Sequence, residues 1–295
     1  MRQQVMVGLL RLATGLPLPL AHGVGALLGR LLYCVPNALH RIAARNLELA
    51  FPELAPATRQ RLLRRTLIET GKLLLELGPL WQWRGERVLA LVREPVAHED
   101  VLAAAVRAQR GVILVTPHLG AWEMAGLYYS SRYPLTILYR TSRLGLDKLS
   151  CQGRGRLGGR VVSVERSGLR ALLTALRAGE VLGILPDQDA GGVGDGESLF
   201  VPFFGIPVST MTLVSRLARK TGAPVFLTWV ERLAHGQGYR LQLRTLPEVT
   251  AAASLEESVA ALNRGVEAAV RTLPTQYLWV YKRFKTRPPG QPKLY

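Results

Sequence analysis

From about residue 110 onward, short apolar runs alternate with stretches whose apolar residues recur at helical spacing. This alternation limits the fold more than any other feature. The runs are GVILVT (111–116), LTILY (135–139), RVVSV (160–164), VLGIL (181–185) and APVFLTWV (223–230), with helical stretches such as 166–178 and 209–221 between them. Buried strands separated by amphipathic helices argue for an α/β architecture, a central sheet with helices on its faces. PVFLTWV and YRLQLRT flank Gly236 and Gly238, which predicts a hairpin and makes the sheet mixed. Upstream, Leu62, Leu63, Leu67, Leu73, Leu74, Leu77 and Leu80 interleave with Arg and Glu over 57–83 and predict one or two amphipathic helices; 254–272 predicts another.

The N-terminus poses a membrane question. Between Arg11 and Arg30 lie 18 uncharged residues, LATGLPLPLAHGVGALLG. That approaches the roughly 20 needed to span a hydrocarbon core. Pro17, Pro19, His22 and the glycines raise the cost of a regular buried helix. The stretch therefore reads as a membrane-inserted or interfacial helix, with a buried core hairpin as the alternative. No small-residue cleavage site follows, which argues against a cleaved signal peptide. Arg30, Arg41 and Arg45 after the segment outnumber Arg2 and Arg11 before it, a bias that places the bulk of the chain in the cytoplasm. The economical division is a membrane-associated segment over 1–32 and a catalytic domain over 33–295.

Charge speaks to partners rather than to fold. The chain carries a formal +17, and six of its 38 basic residues are Lys, the rest Arg. Arginine's planar fork suits phosphate and carboxylate, so anionic headgroups or an acidic protein fit the excess; a general preference of the source for Arg fits it as well. A nucleic-acid binder of this charge would need aromatic stacking platforms or a groove-reading helix, and neither is evident, so no nucleic-acid partner is expected. Cys34 and Cys151 stand far apart with no neighbouring His, a pattern that gives neither a metal site nor a nucleophile pair.

The residues able to do chemistry concentrate in GVILVTPHLGAWEMAGL. His118 follows a strand, in a turn shaped by Pro117 and Gly120, and Glu123 stands five residues on, where a helix begins. Five residues along a helix is an offset of ~140°, so the two side chains meet only if the imidazole folds back from the turn. A carboxylate hydrogen-bonded to the ring would fix its tautomer and free the other nitrogen to accept a proton. No G-x-S-x-G elbow supplies a serine nucleophile, which counts against a lipase or thioesterase. An acceptor's own hydroxyl can then be the nucleophile. The pattern is not H-E-x-x-H and the other histidines are distant, so no metal is expected, nor any cofactor.

Taken together, H-x-x-x-x-E after a strand, ARNLELAFPEL (44–54), TPHLGAWEM, the pair Tyr139–Arg140, PDQDAG (186–191), VPFFG (201–205) and QYLWVYKRFKTRPPG (276–290) resemble the late acyltransferases of bacterial lipid A synthesis, within the glycerolipid acyltransferases. The resemblance spans nearly the whole chain. The tail and PDQD stretches look closest to lauroyltransferase members. It implies an acyl carrier protein thioester as donor and a phosphorylated, Kdo-bearing glucosamine disaccharide as acceptor, whose hydroxyl sits on an acyl chain already attached. It also implies a catalytic His118–Glu123 pair and a bacterial inner-membrane location with the domain on the cytoplasmic face. TSRLGL (141–146) departs from the family, which more often has proline directly after the arginine. Arg140, at the C-terminal end of a strand, is assigned to substrate phosphate or to charge near the thioester. Asp187 is expected to anchor Arg140 or Arg166 in the substrate-binding wall, or else to cap its turn. Arg154, Arg156, Arg160, Arg166 and Arg170 form a basic stretch that faces acceptor phosphates, the acidic carrier or plain solvent.

Overall fold

A computed structural model describes residues 2–140, 147–191 and 196–295, with backbone alone for residues 2–6 and Arg166. Four helices lead: α1 (Arg2–Thr14), α2 (Leu18–Cys34), α3 (Ala38–Ala50) and α4 (Pro56–Gln82). Short helices α5 (Gly85–Leu89) and α6 (Glu99–Arg107) precede β1 (Val112–Val115), α7 (Trp122–Ser130), β2 (Leu135–Tyr139) and α8 (Asp147–Gly155). Then come β3 (Arg160–Ser163), α9 (Arg166–Arg177), β4 (Val181–Ile184), β5 (Ser198–Phe203), β6 (Ile206–Met211) and α10 (Leu213–Thr221). β7 (Val225–Arg232), β8 (Tyr239–Thr245), α11 (Pro247–Ala251) and α12 (Leu255–Thr272) complete the regular elements.

The expected mixed sheet is present, in the order β3-β2-β4-β1-β7-β8. All neighbours run parallel except the β7–β8 hairpin. Side-chain alternation divides two cores. Ile113 and Val115 of β1, with Leu182 and Ile184 of β4, face Leu172, Leu176, Leu262 and Val266 on one side. Val112 and Leu114 face Met124, Leu127, Tyr129 and Leu102 on the other. Burial on both faces explains why these strands read as continuous apolar runs.

Two expectations change. The helix placed over 209–221 begins only at Leu213, because Ile206–Met211 is a strand paired with Ser198–Phe203 in a separate two-stranded sheet. VPFFG supplies its tight turn: Phe204 and Gly205 both take left-handed backbone, at φ 50 and 72°. The apolar N-terminal stretch is also not one helix, since Gly15–Pro17 breaks it into α1 and α2. Among the described residues no single helix is long and apolar enough to cross a membrane; α2 and α3 together have the length and composition but bend by 81°.

α2 lies on α4 almost backbone to backbone. A Cβ added at Gly71 would stand 2.0 Å from the carbonyl oxygen of Gly25, and one at Gly29 2.3 Å from that of Leu67. Small residues therefore line the inner face of α2, while Leu20, Val24, Leu27, Leu31 and Val35 form a stripe facing outward, each 44 to 57 % exposed. A buried cluster then ties these helices to the sheet. Arg232, at the end of β7, grips Glu76 of α4 through two parallel bonds of 2.7 and 2.5 Å. His22 of α2 and the Tyr239 phenol each reach Glu76 at 3.0 Å, and Glu69 takes a further Arg232 bond at 2.9 Å.

Candidate active site

The His118 loop owes its place to the sheet. β1 and β4 are parallel neighbours paired Val115 with Ile184, so TPH and PDQD leave the sheet side by side at the same edge. The Thr116 amide still donates to the Ile184 carbonyl, at 2.9 Å. One strand further out, Arg140 follows the end of β2 at that same edge and is exposed. From the other side, the C-terminal tail runs against the loop: the Gly120 amide donates to Gln276 O and the Leu278 amide to His118 O, both at 3.0 Å. Asn46 of α3 in turn holds that tail by donating to the carbonyls of Trp279 and Tyr281. Gly120 sits at φ 63°, and a Cβ there would fall 1.7 Å from Val230 O, so no side chain fits.

The partner of the imidazole is Asp187. Its Oδ1 accepts from His118 Nδ1 at 2.8 Å and its Oδ2 from the His118 amide at 2.9 Å. One carboxylate thus fixes both ring and backbone, and with the proton on Nδ1 the Nε2 lone pair is the free base position. The Gln188 side-chain amide rests 3.2 Å from Nε2, and the Trp122 indole packs edge-on with ring centroids 4.9 Å apart. Burial pushes the Asp187 carboxyl up, but the charge and hydrogen bonds of His118, with help from Arg283, outweigh it and hold the group below the ordinary carboxylate range.

The expected anchoring of Arg140 by Asp187 is not among the contacts of the described residues: the carboxylate is engaged by His118 instead. The Arg166 side chain and the TSRLGL segment lie outside the described residues.

Glu123 also departs from the expected contact. In the first turn of α7 its buried carboxylate turns away from the imidazole and accepts from Arg154 Nε at 2.8 Å and Nη2, and from the indoles of Trp81 and Trp122 at 3.2 Å each. A guanidinium fork is the stronger partner for a buried carboxylate, and α8 places Arg154 directly over it. Burial raises the Glu123 carboxyl, yet Arg154 first, then Trp81 and the nearby His118, bring it below its usual value. Glu123→Gln is expected to lower stability by about 2 kcal/mol through the lost charged hydrogen bonds, visible as a reduced Tm. Its rate should fall by about tenfold. A rate loss as deep as that of a His118 variant at unchanged Tm would make Glu123 the direct partner instead.

Arg154, Glu123 and Trp122 form the polar end of a partly open apolar cavity of about 30 Å³ between α7 and the sheet. Leu114, Ile137, Gly126 and Gly183 line its depth. A Cβ at Gly183 would touch Leu135 and Ile137 at 3.5 Å, so the glycine opens this space. Sequence reading named His118, Glu123 and Asp187 but missed Gln188, Trp81 and Gln276. A legible signal existed in the like placement of TPH and LPD, each a proline and a polar residue directly after a buried strand.

Fold and site define an α/β domain with a carboxylate-held histidine beside a small apolar cavity. A family model described as bacterial lipid A biosynthesis acyltransferase matches residues 3–286. The chain is 33 % identical to the lipid A biosynthesis palmitoleoyltransferase of Escherichia coli K12, over 98 % of this chain and 92 % of that protein. It is also 33 % identical to the lauroyltransferase of the same organism, over 98 and 93 %. The myristoyltransferase of that strain is 26 % identical over 92 and 82 %. The chain belongs to the bacterial lipid A biosynthesis acyltransferase family, and it is an acyltransferase.

Proposed function

We propose that the enzyme moves a lauroyl chain from an acyl carrier protein thioester to the hydroxyl of a 3-hydroxyacyl chain on the Kdo-linked lipid A precursor, by direct transfer. The observation that carries this reading is the double grip of Asp187 on His118. The acceptor oxygen attacks the thioester carbon while Nε2 takes its proton; the tetrahedral adduct then expels the carrier's thiolate, which the imidazolium reprotonates. Asp187 holds the tautomer and stabilises the imidazolium, and Glu123 adds negative charge nearby while positioning Arg154. Arg140, exposed at the same sheet edge, faces the phosphorylated acceptor. The acidic carrier suits a chain of charge +17. Identity to lauroyl- and palmitoleoyl-transferring relatives is equal, so it does not choose between chain lengths; the lauroyl assignment rests on the likeness of the tail and PDQD stretches to lauroyltransferase members. The test offers the full chain lauroyl, myristoyl and palmitoleoyl carrier thioesters with the precursor and reads products by mass spectrometry. A lauroylated product with little free fatty acid is expected. Hydrolysis without transfer would make the protein a thioesterase, and a preference for palmitoleoyl would overturn the chain assignment.

The same reading places the protein on the cytoplasmic face of the bacterial inner membrane. The outward stripe of α2, with Leu12 of α1 74 % exposed, is the surface that would enter the interface, since large exposed apolar patches mark such sites. Leu20→Ser, Leu27→Ser and Leu31→Ser combined should weaken partition into vesicles about a hundredfold, at roughly 1 kcal/mol of burial per leucine. Flotation measures this, and because these side chains point outward the Tm should hold. Unchanged flotation would exclude α2 as the membrane face.

A further inference from the structure

Away from the His118 site, α3 and the C-terminal tail enclose a cleft of about 310 Å³, lined by Ala38, Arg41, Ile42, Arg45, Lys282 and Tyr295. At ~30 Å³ per liquid water that is room for about ten waters, enough for a phosphate and the first atoms beyond it but not for a folded segment. Ala38, Arg41, Ile42 and Arg45 recur at helical spacing on one face of α3, so two guanidinium groups and an apolar floor share one wall. Lys282 stands opposite, 5.3 Å above the Tyr295 ring. No side-chain carboxylate lines the cleft. Glu48 pairs with Arg45 from the rim at 3.2 Å, and among the described residues neither Arg41 nor Lys282 has an acidic partner. Arg45 is held by Glu48 and by the Leu294 carbonyl, at 3.0 Å, whereas Arg41 and Lys282 bring two charges without an acidic partner among the described residues to the same concavity, which favours an anion there.

We propose that this cleft is a second, non-catalytic site that binds the phosphate headgroup of an anionic membrane lipid. Arginine forks with a lysine suit a phosphate, and Ile42, Ala38 and Tyr295 suit the carbon next to it. The lipid source follows from position: Val35 ends the outward stripe of α2, and Ala38, three residues later, is the first residue of the cleft, with Leu39 exposed beside it. The choice of a lipid as the source of the phosphate rests on the membrane reading of α2, while the phosphate chemistry stands without it.

The full chain is tested by flotation with vesicles of phosphatidylcholine alone and of equal parts phosphatidylcholine and phosphatidic acid. An Arg41→Glu/Lys282→Glu variant is compared with Arg177→Glu/Arg244→Glu, which makes the same change of charge at exposed positions elsewhere. The cleft variant should lose about tenfold or more in affinity for the acidic vesicles, the control less than about twofold, and binding to phosphatidylcholine should be equal in both. Arg41→Gln/Lys282→Gln should show most of the loss without added negative charge. Equal losses in the cleft and control variants would overturn the site, leaving general electrostatics. Calorimetry with inorganic phosphate on the detergent-solubilised chain separates the sources: phosphate binding abolished by the cleft variant, with acidic-vesicle binding untouched, would overturn the lipid assignment. Failure of the α2 serine variant to change phosphatidylcholine flotation would strike the membrane reading alone, since the charge comparison is unaffected.

Discussion

His118→Ala is expected to cut acyl transfer by on the order of a hundred to ten thousandfold, with the fold and donor binding intact. Asp187→Asn should be nearly as damaging. It keeps the shape but replaces the carboxylate that accepts both the ring N–H and the backbone amide, so it loosens the tautomer and removes the charge facing the imidazolium. The two losses should not add, because both residues serve one proton transfer, and the double variant should resemble the worse single. Steady-state transfer from a carrier thioester, measured beside thermal midpoints, checks all three. A folded His118→Ala enzyme that keeps more than a tenth of the parent rate would remove the general base from the mechanism.

The second large effect concerns stability. Arg232→Met should cost about 3 to 5 kcal/mol, since it strands the fully buried Glu76 without its fork. Against a typical total of about 5 to 15 kcal/mol that is a large fraction, readable by denaturant titration. The wild-type pH dependence follows from the same group. Burial alone would raise the Glu76 carboxyl, but Arg232 and then His22 pull it from 4.5 down to about 2. A carboxyl lowered on folding stabilises fully above its unfolded value. That contribution, about 3 kcal/mol, is then lost as pH falls from roughly 4.5 toward 2. Glu76→Gln should be less stable at neutral pH and lose less on acidification. Parallel acid curves for the two proteins would contradict the linkage.

The strands were legible because burial on both faces writes them as unbroken apolar runs; β1, β2 and β4 fall within the sequence segments that predicted them, and β7 runs two residues past its segment. The hairpin of β5 and β6 was not, because Ser209, Thr210 and Thr212 carry no alternation that separates strand from helix. His118 was readable from its turn. Its partner was not, since which strand neighbours β1 is a long-range fact: only the order β2-β4-β1 brings residue 187 beside residue 118. Local spacing pointed instead to Glu123, the nearest carboxylate along the chain, and a guanidinium 31 residues away had already claimed it.

The imidazole nitrogen proposed as the base is not bare. Gln188 sits on Nε2 with an amide that can donate a hydrogen bond but is a poor nucleophile, so anything brought to the base must first displace it. A water molecule arrives with little to offset that exchange. A lipid hydroxyl arrives tethered to a large bound body, at high effective concentration. Under the proposed mechanism, this contact would favour a tethered hydroxyl over water at Nε2 and so slow idle hydrolysis of a bound thioester.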